Sequence, residues 1–119
     1  MFVRVSLTML LLIAGLMGQP QTAAPLFKLL PSSSTGITFN NKITEDDTLN
    51  ILNEANIYSG GGVGIGDFNN DGLPDIYLAG NMVSNKFYLN KGSMKFDDRT
   101  SVAGLGGHGH WCTGVSVDI

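Results

Sequence analysis

The sequence is poor in cysteine and in basic residues. Its 119 residues include one cysteine, Cys112, and one cysteine cannot build an internal disulfide framework, so packing and bound metal are the remaining means of holding a fold. Lys and Arg together number 7 against 10 Asp and Glu, and the formal net charge is −3. This balance argues against nucleic acid as a partner, because nucleic-acid binding calls for a basic stripe.

Long apolar runs are absent except at the start of the chain. Residues 5–17 are mostly apolar, follow a positive charge at Arg4, and are succeeded by small and polar residues up to Ala24. The run is short for a membrane span and has the layout of a secretory signal peptide. We predict a signal peptide over residues 1–24, a secreted, cell-surface or periplasmic location, and no stable membrane span after cleavage. An uncleaved anchor helix is the alternative.

Residues 25–58 are predicted to be a linker and lead-in segment. Two prolines and three consecutive serines lie between residues 25 and 34, a composition typical of loops. The alternation over residues 36–40 predicts a short strand. Residues 45–56 have apolar positions near helical spacing and are predicted to form a loop or a short helical turn.

Residues 59–103 are predicted to form one β-sheet. Strands are expected at residues 63–66, 75–79, 86–89 and 95–99, separated by segments rich in Gly, Asn and Ser. Four antiparallel strands make one blade of a β-propeller. Phe87, Leu89 and Phe96 are expected to pack on one face, with Tyr88 and the lysines toward solvent.

The turn between the first two predicted strands carries a candidate calcium site. Oxygen-bearing side chains alternate along it, Gly72 permits a sharp turn, and a further carboxylate follows. Ca²⁺ takes six to eight oxygen ligands in flexible geometry, and carboxylates this close together repel each other without a cation. The predicted ligands are Asp67, Asn69, Asp71, the backbone carbonyl of Leu73, and Asp75.

This region admits three other interpretations. An EF-hand loop would place its twelfth ligand at Leu78, which cannot coordinate a cation, and its flanks would be helices. A plain turn stabilised by Asn and Asp side chains needs no metal. A nucleotide-binding loop at residues 60–66 lacks a following Lys-Ser/Thr, and Pro74 prevents a helix from opening there. Calcium binding is favoured, and the plain turn is the main alternative.

Residues 62–77 resemble an FG-GAP (VCBS-type) repeat, the calcium-binding blade motif of integrin-alpha-like β-propellers. The fuller run, which includes residues 85–90 and 95–98, is similar to secreted bacterial relatives of cartilage acidic protein. The resemblance covers the chain from Ser59 onward. It implies an all-β fold with one four-stranded antiparallel propeller blade plus the first strand of a second blade, preceded by a signal helix and a linker.

Residues 104–119 are predicted to be an inter-blade loop and the start of a second repeat. Residues 114–119 match the opening strand of the first repeat, with Asp118 in the place of Asp67. The sequence stops before the next Asn-x-Asp-Gly, so Asp118 is not assigned as a metal ligand. The chain is interpreted as an N-terminal fragment that lacks further blades.

His108, His110 and Cys112 lie at alternate positions. This spacing suggests two interpretations, a transition-metal site or a cysteine nucleophile activated by histidine. The sequence supplies no convincing fourth metal ligand, no orienting group and no oxyanion site. A glycine-rich loop in which Trp111 packs against a neighbour is the favoured interpretation.

The resemblance implies a secreted calcium-binding module that acts in adhesion or in binding protein or glycan ligands, with further propeller blades as partners. No catalytic constellation is identified, and we predict that the chain is not an enzyme. The alternatives are the N-terminal part of an exported propeller lyase or hydrolase whose active site lies beyond Ile119, and a purely structural calcium module.

Overall fold

The computed structural model describes residues 24–107 and 109–118. The predicted signal peptide therefore lies outside the described residues, apart from Ala24. The elements of the described part, in chain order, are α1 (Ser32–Thr35), β1 (Val63–Gly66), β2 (Asp75–Leu78), β3 (Lys86–Asn90), β4 (Phe96–Asp98) and α2 (Thr100–Ala103). Within these residues, no helix has the length and apolar character needed to cross a membrane.

The four strands form one antiparallel sheet in the order β1-β2-β3-β4. Each strand pairs with the next along the chain, with Ile65 opposite Ile76 and Ile76 opposite Tyr88, and Tyr88 opposite Asp98. An up-and-down sheet of four strands is the architecture of a propeller blade. The predicted all-β fold class is confirmed.

The strand ends lie within one residue of the predicted ones, because turn residues set them. Between β3 and β4 the chain turns at Gly92, Ser93 and Met94, all with positive φ. The turn is closed by the N–H of Lys91, which donates to the Lys95 carbonyl at 2.8 Å. The turn-forming residues in the sequence were therefore sufficient to predict where the strands of this sheet begin and end.

Tyr88 lies in the core, so the prediction that it faces solvent is wrong. Its side chain is fully buried, as is that of Ile57, while Phe87 on the opposite face is also buried. The cause is the lead-in segment, which crosses the Tyr88 face: the backbone N–H of Thr38 donates to the Tyr88 hydroxyl at 3.2 Å. Both faces of the blade are covered at β3.

The strand predicted at residues 36–40 does not form. These residues lie across the face of the sheet, with Gly36 directly against the Phe96 carbonyl, and a chain in that position has no strand edge to pair with. The segment ends at Asn41, whose side chain bonds to Asn81. Residues 45–56 form bends and turns, in agreement with the predicted loop.

Residues 114–118 pack on the blade without forming the predicted strand. A side chain at Gly64 would lie 2.6 Å from Val115 and 2.9 Å from Val117. Only a residue without Cβ lets the two segments approach this closely. The segment therefore contacts the face of β1 through its valine side chains, and no ladder partner lies beside it in the described part of the chain.

A surface ion pair links β3 to its neighbour β4. Lys86 Nζ lies 2.7 Å from Asp98 Oδ2, and Asp98 Oδ1 accepts the main-chain N–H of Thr100 at 3.0 Å. Partial burial alone would raise the pKa of Asp98, but the hydrogen bonds from Lys86 and Thr100 outweigh it and lower the pKa to about 2.

We expect the Asp98 carboxyl to titrate with a midpoint near 2 in the folded chain. Since this pKa lies below its unfolded value, the associated stability is present above pH ~4 and is lost as the pH falls through ~2. Carbonyl-carbon NMR titration measures the midpoint directly. In a Lys86→Met variant the midpoint should rise, and an unchanged midpoint would show that the ion pair does not set it.

Candidate functional site

The loop of residues 67–74 joins β1 to β2 and carries the predicted ligands. Asp67 follows the last residue of β1, and Asp75 is the first residue of β2. The chain reverses through two residues with left-handed backbone, Asn70 at φ 58° and Gly72 at φ 81°. Asn and Gly tolerate this conformation better than other residues, so the local sequence explains the tight curl.

Asp67 accepts hydrogen bonds from the far side of the loop. Its Oδ2 accepts the N–H of Gly72 at 2.7 Å, and its Oδ1 accepts the N–H of Asp71 at 3.1 Å. The Gly72 bond is the main cause that lowers the pKa of Asp67; burial opposes it, and the N–H groups of residues 69–71 add to it. The carboxylate is therefore held in its charged form, as a cation ligand must be.

Asn69 and Asp71 lie beside Asp67 in the same curl. The N–H of Asp71 donates to Asn69 Oδ1 at 3.1 Å as well as to Asp67, so these two oxygens converge on one nitrogen. Asn69 Nδ2 also donates to Asp71 Oδ2 at 2.8 Å. The structure thus brings together three of the side chains that the spacing predicted.

Leu73 and Asp75 are placed differently from these three. The N–H of Leu73 donates to Asp71 Oδ1 at 2.9 Å, and the role of its carbonyl stays a prediction. Asp75 is fully buried, and its oxygens accept the N–H groups of Phe68 at 3.0 Å and Asn90 at 2.8 Å. Asp75 therefore connects the loop to the end of β3.

The donor chemistry of the loop fits a hard cation. Carboxylate and amide oxygens are the ligands that Ca²⁺ prefers, and a carboxylate oxygen that accepts one N–H keeps a further lone pair. In residues 24–107 and 109–118, however, no three His, Cys, Asp or Glu side chains lie close enough together to hold a metal ion. The loop oxygens face main-chain and side-chain N–H groups here.

The cysteine region has a structural role among the described residues. His108 lies outside them. The N–H of Cys112 donates to the Gly80 carbonyl at 3.1 Å, and Asn85 Nδ2 lies 3.5 Å from Cys112 Sγ. His110 donates its N–H to the Gly107 carbonyl at 3.3 Å. The two contacts of Cys112 hold the segment against the connection between β2 and β3, and the His110 bond is local to the segment.

Two buried asparagines were missed at the level of sequence. Asn81 accepts from Asn41 Nδ2 at 2.6 Å and donates to the carbonyls of Gly60 and Cys112, so it joins three segments. Asn85 accepts the N–H of Gly80 at 2.8 Å. Asparagine is common in turns, so both residues were predicted only as parts of a turn. Their partners lie elsewhere in the chain, and the neighbouring sequence does not indicate them.

An apolar groove of about 480 Å³ lies on the Phe87 face of the blade. Phe68 forms one wall, and its ring contacts Phe87 edge to face, with centroids 5.5 Å apart at 79°. The groove is further lined by Tyr77, Ala103, Leu105, Val115, Ser116 and Val117. A residue of the loop thus reaches the surface on which the C-terminal segment lies.

A protein-family model matches the chain. The family model of the FG-GAP-like repeat covers residues 45–119. This region begins before Ser59, the residue at which the resemblance to such repeats begins in the sequence analysis. No curated protein and no solved structure matches the chain. The match spans more than half of the chain and includes all four strands and the loop between β1 and β2.

Proposed function

Because the chain belongs to the FG-GAP-like repeat family, we propose that it is a secreted, calcium-binding β-propeller module that acts in adhesion or in binding protein or glycan ligands. The observation that carries the proposal is the loop between β1 and β2. There, the oxygens of Asp67 and Asn69 converge on one N–H group.

The proposed calcium ligands are those of the loop: Asp67, Asn69, Asp71, the Leu73 carbonyl and Asp75. Bound Ca²⁺ would neutralise the clustered carboxylates and hold the loop in one geometry. Gly72 adopts the left-handed backbone that curls the loop. The buried carboxylate of Asp75 positions the loop on the sheet. The cation is proposed to stabilise the blade, with no catalytic step.

Further propeller blades are the proposed partners of this sheet. Val63 and Ile65, which alternate along β1, remain 60% exposed. A repeat unit of this kind cannot bury its apolar faces alone, and stacking on its neighbours buries them. The module is therefore proposed to contribute its blade to a larger propeller whose surface binds the ligand.

The proposed location is outside the cytoplasm, at the cell surface, in the periplasm or secreted. The support is the apolar run of residues 5–17 behind Arg4, which has the layout of a signal peptide. Extracellular calcium modules need only weak affinity, with Kd about 10⁻⁴–10⁻³ M. A shallow loop of mixed Asp and Asn ligands suits this range.

We expect calcium to bind the full chain and to raise its melting temperature. At a calcium concentration ten times Kd, the added stability is about 1.4 kcal/mol, which for a domain of this size shifts Tm by roughly 5–10 °C. Isothermal calorimetry measures the binding, and thermal melting followed by circular dichroism measures the shift. Magnesium at the same concentration tests selectivity.

The Asp71→Ala variant should lose the heat of binding and the calcium-dependent shift. Its matched control is Asp46→Ala, since Asp46 also caps a turn at the surface, accepting the N–H groups of Thr48 and Leu49, but lies outside the loop. Asp46→Ala should keep both signals. If wild type binds no calcium, or if Asp71→Ala binds it as well as wild type does, the loop is only a hydrogen-bonded turn.

A further inference from the structure

We propose that Phe68 couples cation binding in the β1–β2 loop to the seating of residues 113–117 on the blade. The inference rests on the proposed function, since it assigns to that same site an effect on the packing of residues 113–117. Calcium would then control how firmly the C-terminal segment packs against the first blade.

Phe68 is held by the loop on both sides. It lies between Asp67 and Asn69, two of the proposed ligands, and its own N–H donates to Asp75 Oδ2 at 3.0 Å. Its neighbours and its hydrogen-bond partner therefore all belong to the proposed cation set. Any change that fixes those three side chains also fixes the backbone of Phe68.

The Phe68 ring extends from the loop into the wall of the apolar groove. It is 46% exposed, contacts Phe87 edge to face, and lines the groove of about 480 Å³ together with Val115 and Val117. About half of the surface of Phe68 is thus covered by its neighbours. The ring forms a wall whose position depends on the loop.

The segment opposite this wall is held mainly by side chains. Val115 and Val117 approach the Gly64 backbone closely, but residues 113–118 form no strand. Segments with few backbone hydrogen bonds and shallow packing open at low free-energy cost. The packing of this segment should therefore respond to a change in a single wall of the groove.

Cation binding and seating are therefore linked equilibria. A loop that is stiffened by calcium presents Phe68 in one position, and the segment that packs against it loses less freedom on seating. Linkage is reciprocal, so the seated segment must strengthen calcium binding by the same factor. We expect a factor of about five, at the lower end of measured couplings.

The experiment measures NMR cross-relaxation between the methyl groups of Val115 and Val117 and the α-protons of Gly64 in the full chain, because these side chains make the contact that defines seating. It is run with calcium chloride and with EDTA, beside calorimetric titration of the same samples. In wild type, calcium should bind and raise the seating equilibrium constant about fivefold. In Phe68→Ala, which keeps every proposed oxygen ligand, calcium should still bind, about fivefold more weakly, and the cross-relaxation should no longer respond to it.

Phe27→Ala is the matched control, because it truncates the same residue type at a site that is 86% exposed. It should behave as wild type does. Phe68→Leu keeps an apolar wall and should retain part of the response, which shows that loss in the alanine variant does not reflect a damaged loop.

Two results would overturn the inference. If calcium binds and the contact of Val115 and Val117 with Gly64 does not change, the loop and the segment are independent. If calcium strengthens this contact in Phe68→Ala as it does in wild type, another residue carries the coupling. Absence of calorimetric binding to wild type would instead refute the proposed function, and the inference with it, so the two failures are distinguished by the titration.

Discussion

Replacing Asp75 with alanine should destabilise the folded chain by about 3–5 kcal/mol, even in the presence of a calcium chelator. Asp75 is fully buried, and its oxygens accept the N–H groups of Phe68 and Asn90. Alanine leaves both donors without these acceptors, and each unsatisfied buried donor costs about 1–3 kcal/mol. Urea denaturation followed by circular dichroism measures the change.

Two further variants separate this role of Asp75 from its proposed role as a ligand. Asp75→Asn keeps one acceptor oxygen and should lose about half as much stability. Asp71→Ala removes an exposed carboxylate and should change the stability in chelator little, while abolishing the calcium response. If Asp75→Ala unfolds at the wild-type urea concentration in chelator, its hydrogen bonds do not hold the loop to the sheet.

The strands could be predicted because their limits are written in local chemistry. Residues 63–66 were predicted and Val63–Gly66 is observed, since Gly, Asn and Pro residues stand on both sides of the alternating segments. The spacing also predicted that Asp67, Asn69 and Asp71 lie within one curl of the backbone, while their role as ligands stays a prediction. Local structure of this kind depends on neighbours in sequence, which the sequence displays.

The contacts across the sheet could not be predicted in the same way. The period of two residues shows that Phe87 and Tyr88 point to opposite faces, but it does not say what covers either face. Tyr88 is buried by residues some fifty positions earlier in the chain, and the N–H of Asn90 at the end of β3 donates to Asp75 at the start of β2. Such contacts arise only when the whole blade has formed.

The same reason explains the two strands that were predicted and do not form. Residues 36–40 and 114–118 have suitable alternation, yet each lies on a face of the sheet and not along an edge. A strand is defined by its hydrogen-bonded neighbour, which periodicity cannot supply. In this chain, the alternation shows which residues are apolar on one side of the segment. It does not identify the strand with which the segment would pair.

Tyr88 is the side chain with the largest expected contribution to packing. Its replacement by alanine should lower the free energy of unfolding by about 3–5 kcal/mol, because a buried aromatic ring leaves a cavity that the surroundings fill only in part. The loss should also loosen residues 36–41, since the Tyr88 hydroxyl accepts the N–H of Thr38. Urea denaturation gives the first effect, and amide exchange over the lead-in segment gives the second.

Tyr88→Phe separates the ring from its hydroxyl. It keeps the packing and leaves the Thr38 N–H without its acceptor, so it should cost about 1 kcal/mol. Tyr58→Ala is the matched control, since Tyr58 is 61% exposed and its truncation should stay within about 0.5 kcal/mol of wild type. Equal stabilities for Tyr88→Ala and Tyr58→Ala would mean that the lead-in segment does not cover the blade. The face of β3 that it crosses would then be open for another blade to pack against.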